Sequence, residues 1–330
     1  MKDLCVFTEN GIYCPIGDFY IDPIKPVDKA IITHAHADHA RSGSKKYLSN
    51  SLNYNILRLR LGRDIDLSTM IYGEQKQLNG VKISFHPAGH IWGSSQIRLE
   101  HRGEVWVVGG DYKVEDDGFS GVFEPVNCHT FITESTFALP VFSWKPQLEV
   151  FNDINNWWLK NQDEGKVSIL CAYSLGKAQR LIANIDQTIG NVFVHGAIQN
   201  VNEALIASGA VLPKTFYVEP EKNKNQYMGQ LIIAPSSAIG TSWVRKFKPF
   251  EIATVSGWMQ IRGIKQRRNA GHGFVLSDHA DWKGLNKAIK STKAERIIVN
   301  HGYTDIYSRW LMEQGYQAQT AESLFLPMQY

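Results

Sequence analysis

Short apolar runs broken by Gly, Pro, Asn and Asp set the rhythm of the first third of the chain. Residues 19–21, 30–33, 81–85, 95–99 and 105–108 are such runs and predict strands. Residues 50–61 break the rhythm, because Leu52, Ile56, Leu57 and Leu61 fall near helical spacing and predict a helix. From residue 147 strand and helix alternate. Residues 148–160 predict an amphipathic helix, 166–172 a strand, 175–185 a helix and 192–195 a strand, with 231–234 and 252–256 as two more strands. That alternation predicts a parallel α/β unit, and the polar stretch 219–230 a surface loop. The last part returns to the opening pattern: 273–277 and 296–300 predict strands, 282–290 the helix between them, and 305–314 a closing helix. The expected organisation is one domain split over 1–148 and 266–330, with an α/β domain inserted at 149–265.

At 330 residues the chain suits one large domain with an insertion, or two domains. Its 43% hydrophobic and 20% charged content excludes bulk disorder and leaves an ordinary globular protein. The formal charge of +3 permits a polyanionic substrate without demanding one. Cys5, Cys14, Cys128 and Cys171 are scattered and form no CxxC pair, which predicts reduced thiols rather than a disulfide scaffold. The N-terminal stretch MKDLCVFTENGIYC carries Asp3 and Glu9 and no long apolar run, so it does not read as a signal peptide. No stretch approaches the roughly 20 apolar residues of a membrane span. A soluble cytoplasmic protein with no membrane partner is expected.

The densest chemistry is THAHADHA at residues 33–40, directly after the apolar run 30–32. It places His34, His36, Asp38 and His39 within six positions. Residues two apart on a strand or tight loop point the same way, which brings His34 and His36 to one metal. Asp38 and His39 lie where the chain turns and can face a second. A lone histidine is usually a surface or core residue, but desolvating this whole set without a cation is costly. Imidazole with carboxylate suits zinc, and also manganese or iron. Two further pieces sit at strand ends: His90 in PAGHIWGS, flanked by Gly89 and Gly93, and Asp111 closing VWVVGGD. A carboxylate there can bridge two cations, although Asp111 taken alone reads first as a turn or helix-cap residue.

Together these residues resemble the metallo-β-lactamase superfamily, whose pattern is HxHxDH, a later His and a later Asp at strand ends. The resemblance implies an α/β fold, an αββα sandwich with a dinuclear site on one edge. It implies that His34, His36 and His90 hold one divalent ion, that Asp38 and His39 hold the other, and that Asp111 bridges them. Asp22, in FYIDP, matches the early Asp that supports the site by hydrogen bonding. Further motifs resemble the β-CASP nucleases within that superfamily. These are Glu134 in ITESTF, Ser277, His279 and Asp281 in FVLSDHADW, His301 in IIVNHGY, and the GKAQ stretch from Gly176 to Gln179. The whole-chain likeness is to the bacterial ligase-associated DNA exonucleases. It implies an inserted β-CASP domain roofing the metal edge, and a functional association with an ATP-dependent DNA ligase and a helicase.

The mechanism so implied is hydrolysis of a nucleic-acid phosphodiester at two cations, zinc first and manganese second. Asp38 would orient or deprotonate the water. His279 would give a proton to the leaving oxygen, held by Glu134, or instead by Asp281 or Asp278. Ser174, Gly176 and Lys177 sit between a strand and a helix start, where backbone amides can receive a phosphate; strand-to-helix turn chemistry is the bland alternative. Ser236, Ser237 and Thr241 offer hydroxyls, and Arg262, Lys265, Arg267 and Arg268 a basic run that is either a backbone track or a solvated face. Trp92 and Trp258 are read as packing residues before base-stacking ones. DNA is favoured over RNA, and an exonuclease in DNA repair over other modes. His301, which the resemblance implies completes the second ion's shell, argues the other way, for an RNA-processing endo- or exoribonuclease. A small-molecule metallohydrolase fits every metal ligand but not Glu134, the SDHAD stretch or the inserted module.

Overall fold

The computed structural model describes residues 3–219, 223–261 and 272–325. Contacts divide it into two compact units: Met1–Asp116, Ser120–Pro140 and His279–Tyr330 form the first, Asp117–Phe119 and Val141–Asp278 the second.

The first unit opens with β1 (Val6–Thr8), β2 (Gly11–Cys14), β3 (Phe19–Ile21), β4 (Lys29–Ile32), β5 (Lys46–Asn50) and β6 (Leu67–Met70), side by side in chain order. The first three are antiparallel and the rest parallel. Parallel neighbours need a crossover, and α1 (Tyr54–Leu61) supplies the one from β5 to β6, burying Ile56 and Leu57. The second sheet starts as an antiparallel meander of β7 (Gln75–Leu78), β8 (Val81–Pro87), β9 (Ser95–His101) and β10 (Glu104–Val108). Strand β11 (Thr130–Ser135) then pairs with β10 in parallel. Side chains alternate across a strand. Trp106, Val108 and Ile132 therefore face a core shared with Phe7, Ile21, Ile31 and Leu48 of the first sheet. Val107 and Phe131 face the other way, into a second core. Each fully buried side chain of this kind contributes about 1.5–3 kcal/mol.

The second unit comprises α2 (Gln147–Asp163), β12 (Val167–Cys171), α3 (Lys177–Asn184), β13 (Val192–Val194), α4 (Gly196–Ala207), β14 (Phe216–Tyr217), β15 (Leu231–Ala234), α5 (Ser242–Arg245), β16 (Phe250–Val255) and β17 (His272–Phe274). Its sheet runs β14-β13-β15-β12-β16-β17, parallel throughout. Helices on both faces of a parallel sheet explain why β12 and β15 are buried at every position, β15 as an unbroken apolar run and β12 with Ser168 as its one polar residue. Leu170, Ile233 and Val255 pack on one face with Ile154, Trp158 and Leu181; Val167, Ile169 and Ile232 pack on the other with Tyr227 and Phe247.

The chain then completes the first unit with α6 (Trp282–Thr292), β18 (Arg296–Gly302), α7 (Thr304–Glu313) and β19 (Gln317–Thr320). Strands β18 and β19 extend the second sheet beyond β11, all in parallel. Leu285 and Ile289 of α6 and Tyr307 and Leu311 of α7 cover that sheet's outer core with Val107, Phe131 and Ile297. The result is a helix–sheet–sheet–helix sandwich.

Several elements differ from the pattern-based expectation. Residues 272–274 pair with β16, at Ala253↔His272 and Val255↔Phe274, so they belong to the second unit rather than opening the closing part. The second unit accordingly runs to Asp278 and begins at Val141, where apolar rhythm had placed its edges at 265 and 149. Helix α4 was not foreseen, because its sequence GAIQNVNEALIA mixes Gly and two Asn with Ile198, Val201 and Leu205, and only packing on the sheet settles it. Residues 51–53 form a tight 3-10 turn before α1 begins. No helix among the described residues is long and apolar enough to cross a membrane, and the four cysteines are free and buried.

Candidate metal centre

The buried run Ala30–Ile32 of β4 ends at Thr33, and the next seven residues hold no regular element. The fixed strand end with a free loop lets His34, His36 and His39 turn their rings together. His34 Nε2 lies 3.2 Å from His36 Nδ1, and His36 Nδ1 lies 3.0 Å from His90 Nε2. His34 Nε2, His39 Nε2 and His90 Nε2 stand 3.5, 3.4 and 3.7 Å from Asp111 Oδ2. His34, His39, His90 and Asp111 are buried and Asp38 is exposed. His90 arrives from the loop after β8, where Ser94 Oγ accepts its backbone amide at 3.0 Å. Gly89 turns that loop with φ +73°, and a Cβ there would lie 2.3 Å from the Lys113 carbonyl oxygen. Asp111 follows β10 behind Gly110, whose added Cβ would meet Thr33 at 2.9 Å.

Three groups of donor atoms lie within 4.8 Å of one another: His34, His36, His90 and Asp111; Asp38, His39 and Asp111; and Asp111, Glu134 and His279. Asp111 is common to all three. Asp22 supports the cluster from behind. Its Oδ2 accepts from His39 Nδ1 at 2.7 Å and from the Thr33 hydroxyl at 2.5 Å, and its Oδ1 accepts from the Thr33 amide at 2.8 Å. Such a carboxylate orients the ring so that Nε2 faces the cluster. Glu134, near the end of β11, accepts from His279 Nδ1 at 2.8 Å and from the Tyr112 amide at 2.8 Å. The His279 ring stands 4.5 Å from the His90 ring. His301 is exposed, with its ring 5.6 Å from that of His39, and falls in none of the three groups. It sits at φ +60°, held by the Ser135 hydroxyl donating to its carbonyl oxygen.

The donor set fits a divalent cation. His39 Nε2 is buried and has no hydrogen-bond partner, an arrangement that costs free energy unless a cation or proton fills it. Nitrogens about 3.0–3.2 Å apart approach the edge of a tetrahedron with bonds of about 2.0–2.1 Å, the length zinc takes to imidazole. Burial pushes the His34 pKa well below the ordinary imidazole value, and the charge of His39 adds to this. Burial also opposes charge on His39, but the carboxylates of Asp111 and Asp22 outweigh it and raise that ring's pKa. Burial likewise opposes charge on Asp111, and the cationic rings of His39 and His279 overcome it, holding its carboxyl well below the usual range.

The other expected site residues fare differently. The Asp281 carboxylate caps α6, accepting from the Gly284 amide at 2.8 Å, and it is Glu134 that holds His279. Lys177 does not present its ammonium to solvent: it is buried, with Nζ donating to Asp278 Oδ2 at 2.9 Å. The Gly176 amide is taken by the Gln179 side chain at 2.8 Å and offers nothing to a phosphate. Ser174 is half-buried beside them. Ser236 and Ser237 are exposed on a short turn, and the Thr241 hydroxyl donates to the Ala238 carbonyl. Trp258 is half-buried, edge-on to Phe142 at 5.6 Å, and Trp92 is half-buried. Arg262, Lys265, Arg267 and Arg268 lie outside the described residues. Sequence reasoning missed Thr33, Ser94 and Tyr112, whose roles depend on folded geometry and leave no spacing signal.

A helix–sheet–sheet–helix sandwich whose strand ends gather this histidine and aspartate cluster is the metallo-β-lactamase fold. The relatives are consistent with its β-CASP branch. A protein described as a probable DNA ligase from Opitutus terrae is 26% identical over 312 residues, which cover 94% of this chain and 30% of that protein. An RNase J-like protein from Methanocaldococcus jannaschii is 26% identical, covering 83% of this chain and 72% of its own. An endoribonuclease YSH1 from Yarrowia lipolytica is 24% identical, covering 50% and 24%. The chain thus spans 30% and 24% of the first and last of these. No family model matches the chain. A solved structure of a protein of unknown function from Enterococcus faecalis V583 shares the fold, with a TM-score of 0.57 and 10% identity, over 82% of this chain and 74% of that one.

Proposed function

We propose that the chain is a metal-dependent nucleic-acid phosphodiesterase that trims DNA from an end. The observation that carries this reading is the Glu134–His279 pair set against the cluster centred on Asp111. A small-molecule hydrolase with a good leaving group has no need of that pair; a phosphodiester, whose leaving alkoxide needs a proton, does. Two divalent cations, zinc before manganese, held by His34, His36, His90, Asp38, His39 and Asp111 would supply Lewis acidity that activates water and neutralises phosphate oxygens. Asp38, which is exposed, orients the attacking water and takes its proton. His279, with Nδ1 tied to Glu134, gives the proton on its other nitrogen to the leaving oxygen. The water oxygen bonds to phosphorus as the phosphorus–oxygen bond to the leaving group breaks with its electron pair. One proton moves to Asp38 and one leaves His279.

The match over 94% of the chain to a protein described as a probable DNA ligase supports DNA and work alongside a ligase. RNA is the second reading. It is favoured by the position of His301 beside His39 and by relatives described as RNase J-like and as an endoribonuclease. End-labelled single- and double-stranded DNA and RNA, incubated with zinc or manganese, separate the two. Mononucleotide release from DNA is expected; cleavage confined to RNA overturns the choice, and cleavage of neither overturns the class of activity.

A further inference from the structure

Helix α3 carries Lys177, Arg180 and Asn184 at spacings of three and four, hence on one face. That face is buried against charge. Lys177 Nζ donates to Asp278 Oδ2 at 2.9 Å, and Arg180 Nη1 lies 3.6 Å from Asp278 Oδ1. Arg180 Nη1 also donates to the Ser277 carbonyl at 2.6 Å, and its Nε lies 3.9 Å from Asp117 Oδ2. All four charged residues are 5% exposed or less.

A buried ion cluster is a weak source of stability, because desolvation offsets most of its attraction and a packed apolar set serves as well. What it supplies is geometry. Lys177 and Arg180 hold the backbone and carboxylate of Ser277 and Asp278, and the next peptide leads into His279. We propose that Lys177 and Arg180 are positioning residues, which set the His279 ring by fixing the two residues before it. This rests on His279 as proton donor. A shift of about 1 Å in such a group can cost about a hundredfold in rate.

The test compares two substrates: an end-labelled DNA strand, whose leaving oxygen needs a proton, and thymidine 5′-(p-nitrophenyl) phosphate, whose leaving group departs as a stable anion. For Lys177→Met, kcat on DNA should fall about tenfold or more with KM within about twofold. Turnover of the nitrophenyl ester should stay within about twofold, and Lys177→Arg should recover the DNA rate. Equal losses on both substrates, or no loss on DNA, would overturn the proposal. Lys177→Met removes one cation from the buried cluster, so Lys177→Met/Asp278→Asn, which removes one charge of each sign, is read the same way if the single variant does not fold. A His279→Gln enzyme that cleaves DNA at the wild-type rate sinks the proton-donor reading itself. A wild-type chain that cleaves neither substrate sinks the phosphodiesterase reading, and this one with it.

Discussion

Glu134 holds His279 through one carboxylate oxygen, 2.8 Å from the ring Nδ1, while its other oxygen takes the Tyr112 amide. A carboxylate gripped at both ends cannot swing away, so the ring it holds has one orientation.

Replacing His279 with Gln should lower turnover of natural DNA by about a hundredfold to ten-thousandfold, the contribution expected of a general acid. Metal content should stay unchanged. Single-turnover rates and elemental analysis read the two effects separately; loss of bound metal would make His279 a ligand instead.

Replacing Asp22 with Asn should weaken metal affinity by about 10- to 100-fold, because the His39 ring loses the acceptor that orients it. Competition with a chromogenic chelator measures this. Unchanged affinity would show that His39 does not hold the metal.

Metal affinity should depend on pH through His39. Its pKa is raised in the metal-free protein, so below that value a cation must displace a proton, whereas burial already keeps His34 neutral. Apparent affinity should therefore rise with pH by about tenfold per unit and level off above the raised pKa. Titration calorimetry in buffers of different ionisation enthalpy counts the released protons, and a pH-independent affinity would contradict the assignment.

Gly89→Ala should destabilise the first unit by about 1–2 kcal/mol from the left-handed backbone alone. The clash with the Lys113 carbonyl adds to this and displaces His90. Thermal melts with and without zinc test both consequences: the zinc-induced rise in Tm should shrink along with the Tm itself.

Asp281→Ala should cost about 1 kcal/mol through loss of the α6 cap, with Asp281→Ser recovering most of it. Cleavage rates corrected for folded protein should not move. A large kcat loss would restore Asp281 to the catalytic apparatus.

The cluster was legible because its signal is dense: three histidines and an aspartate within six residues after an apolar strand have few other uses. Sheet strands were legible for the same reason, as uninterrupted apolar runs such as Leu231–Ala234. What the chain concealed depends on pairing. Lys177 after a glycine at a helix start suggests a phosphate cradle, and only the fold brings Asp278, far along the chain, to its ammonium. Asp281 could be ranked beside Glu134 as partner for His279 until the α6 start claimed it. His272 fell to the wrong unit because a three-residue strand has too little pattern to declare its neighbour.

The donors of the first unit come from both of its sheets: His34 and His39 follow β4 of one, while His90 and Asp111 follow β8 and β10 of the other. An ion bound among them is a cross-link between the two layers. The protein's resistance to heat and proteolysis then becomes a function of free metal in its surroundings, since binding adds to folding free energy by mass action. Starved of metal, the chain should lose durability together with chemistry.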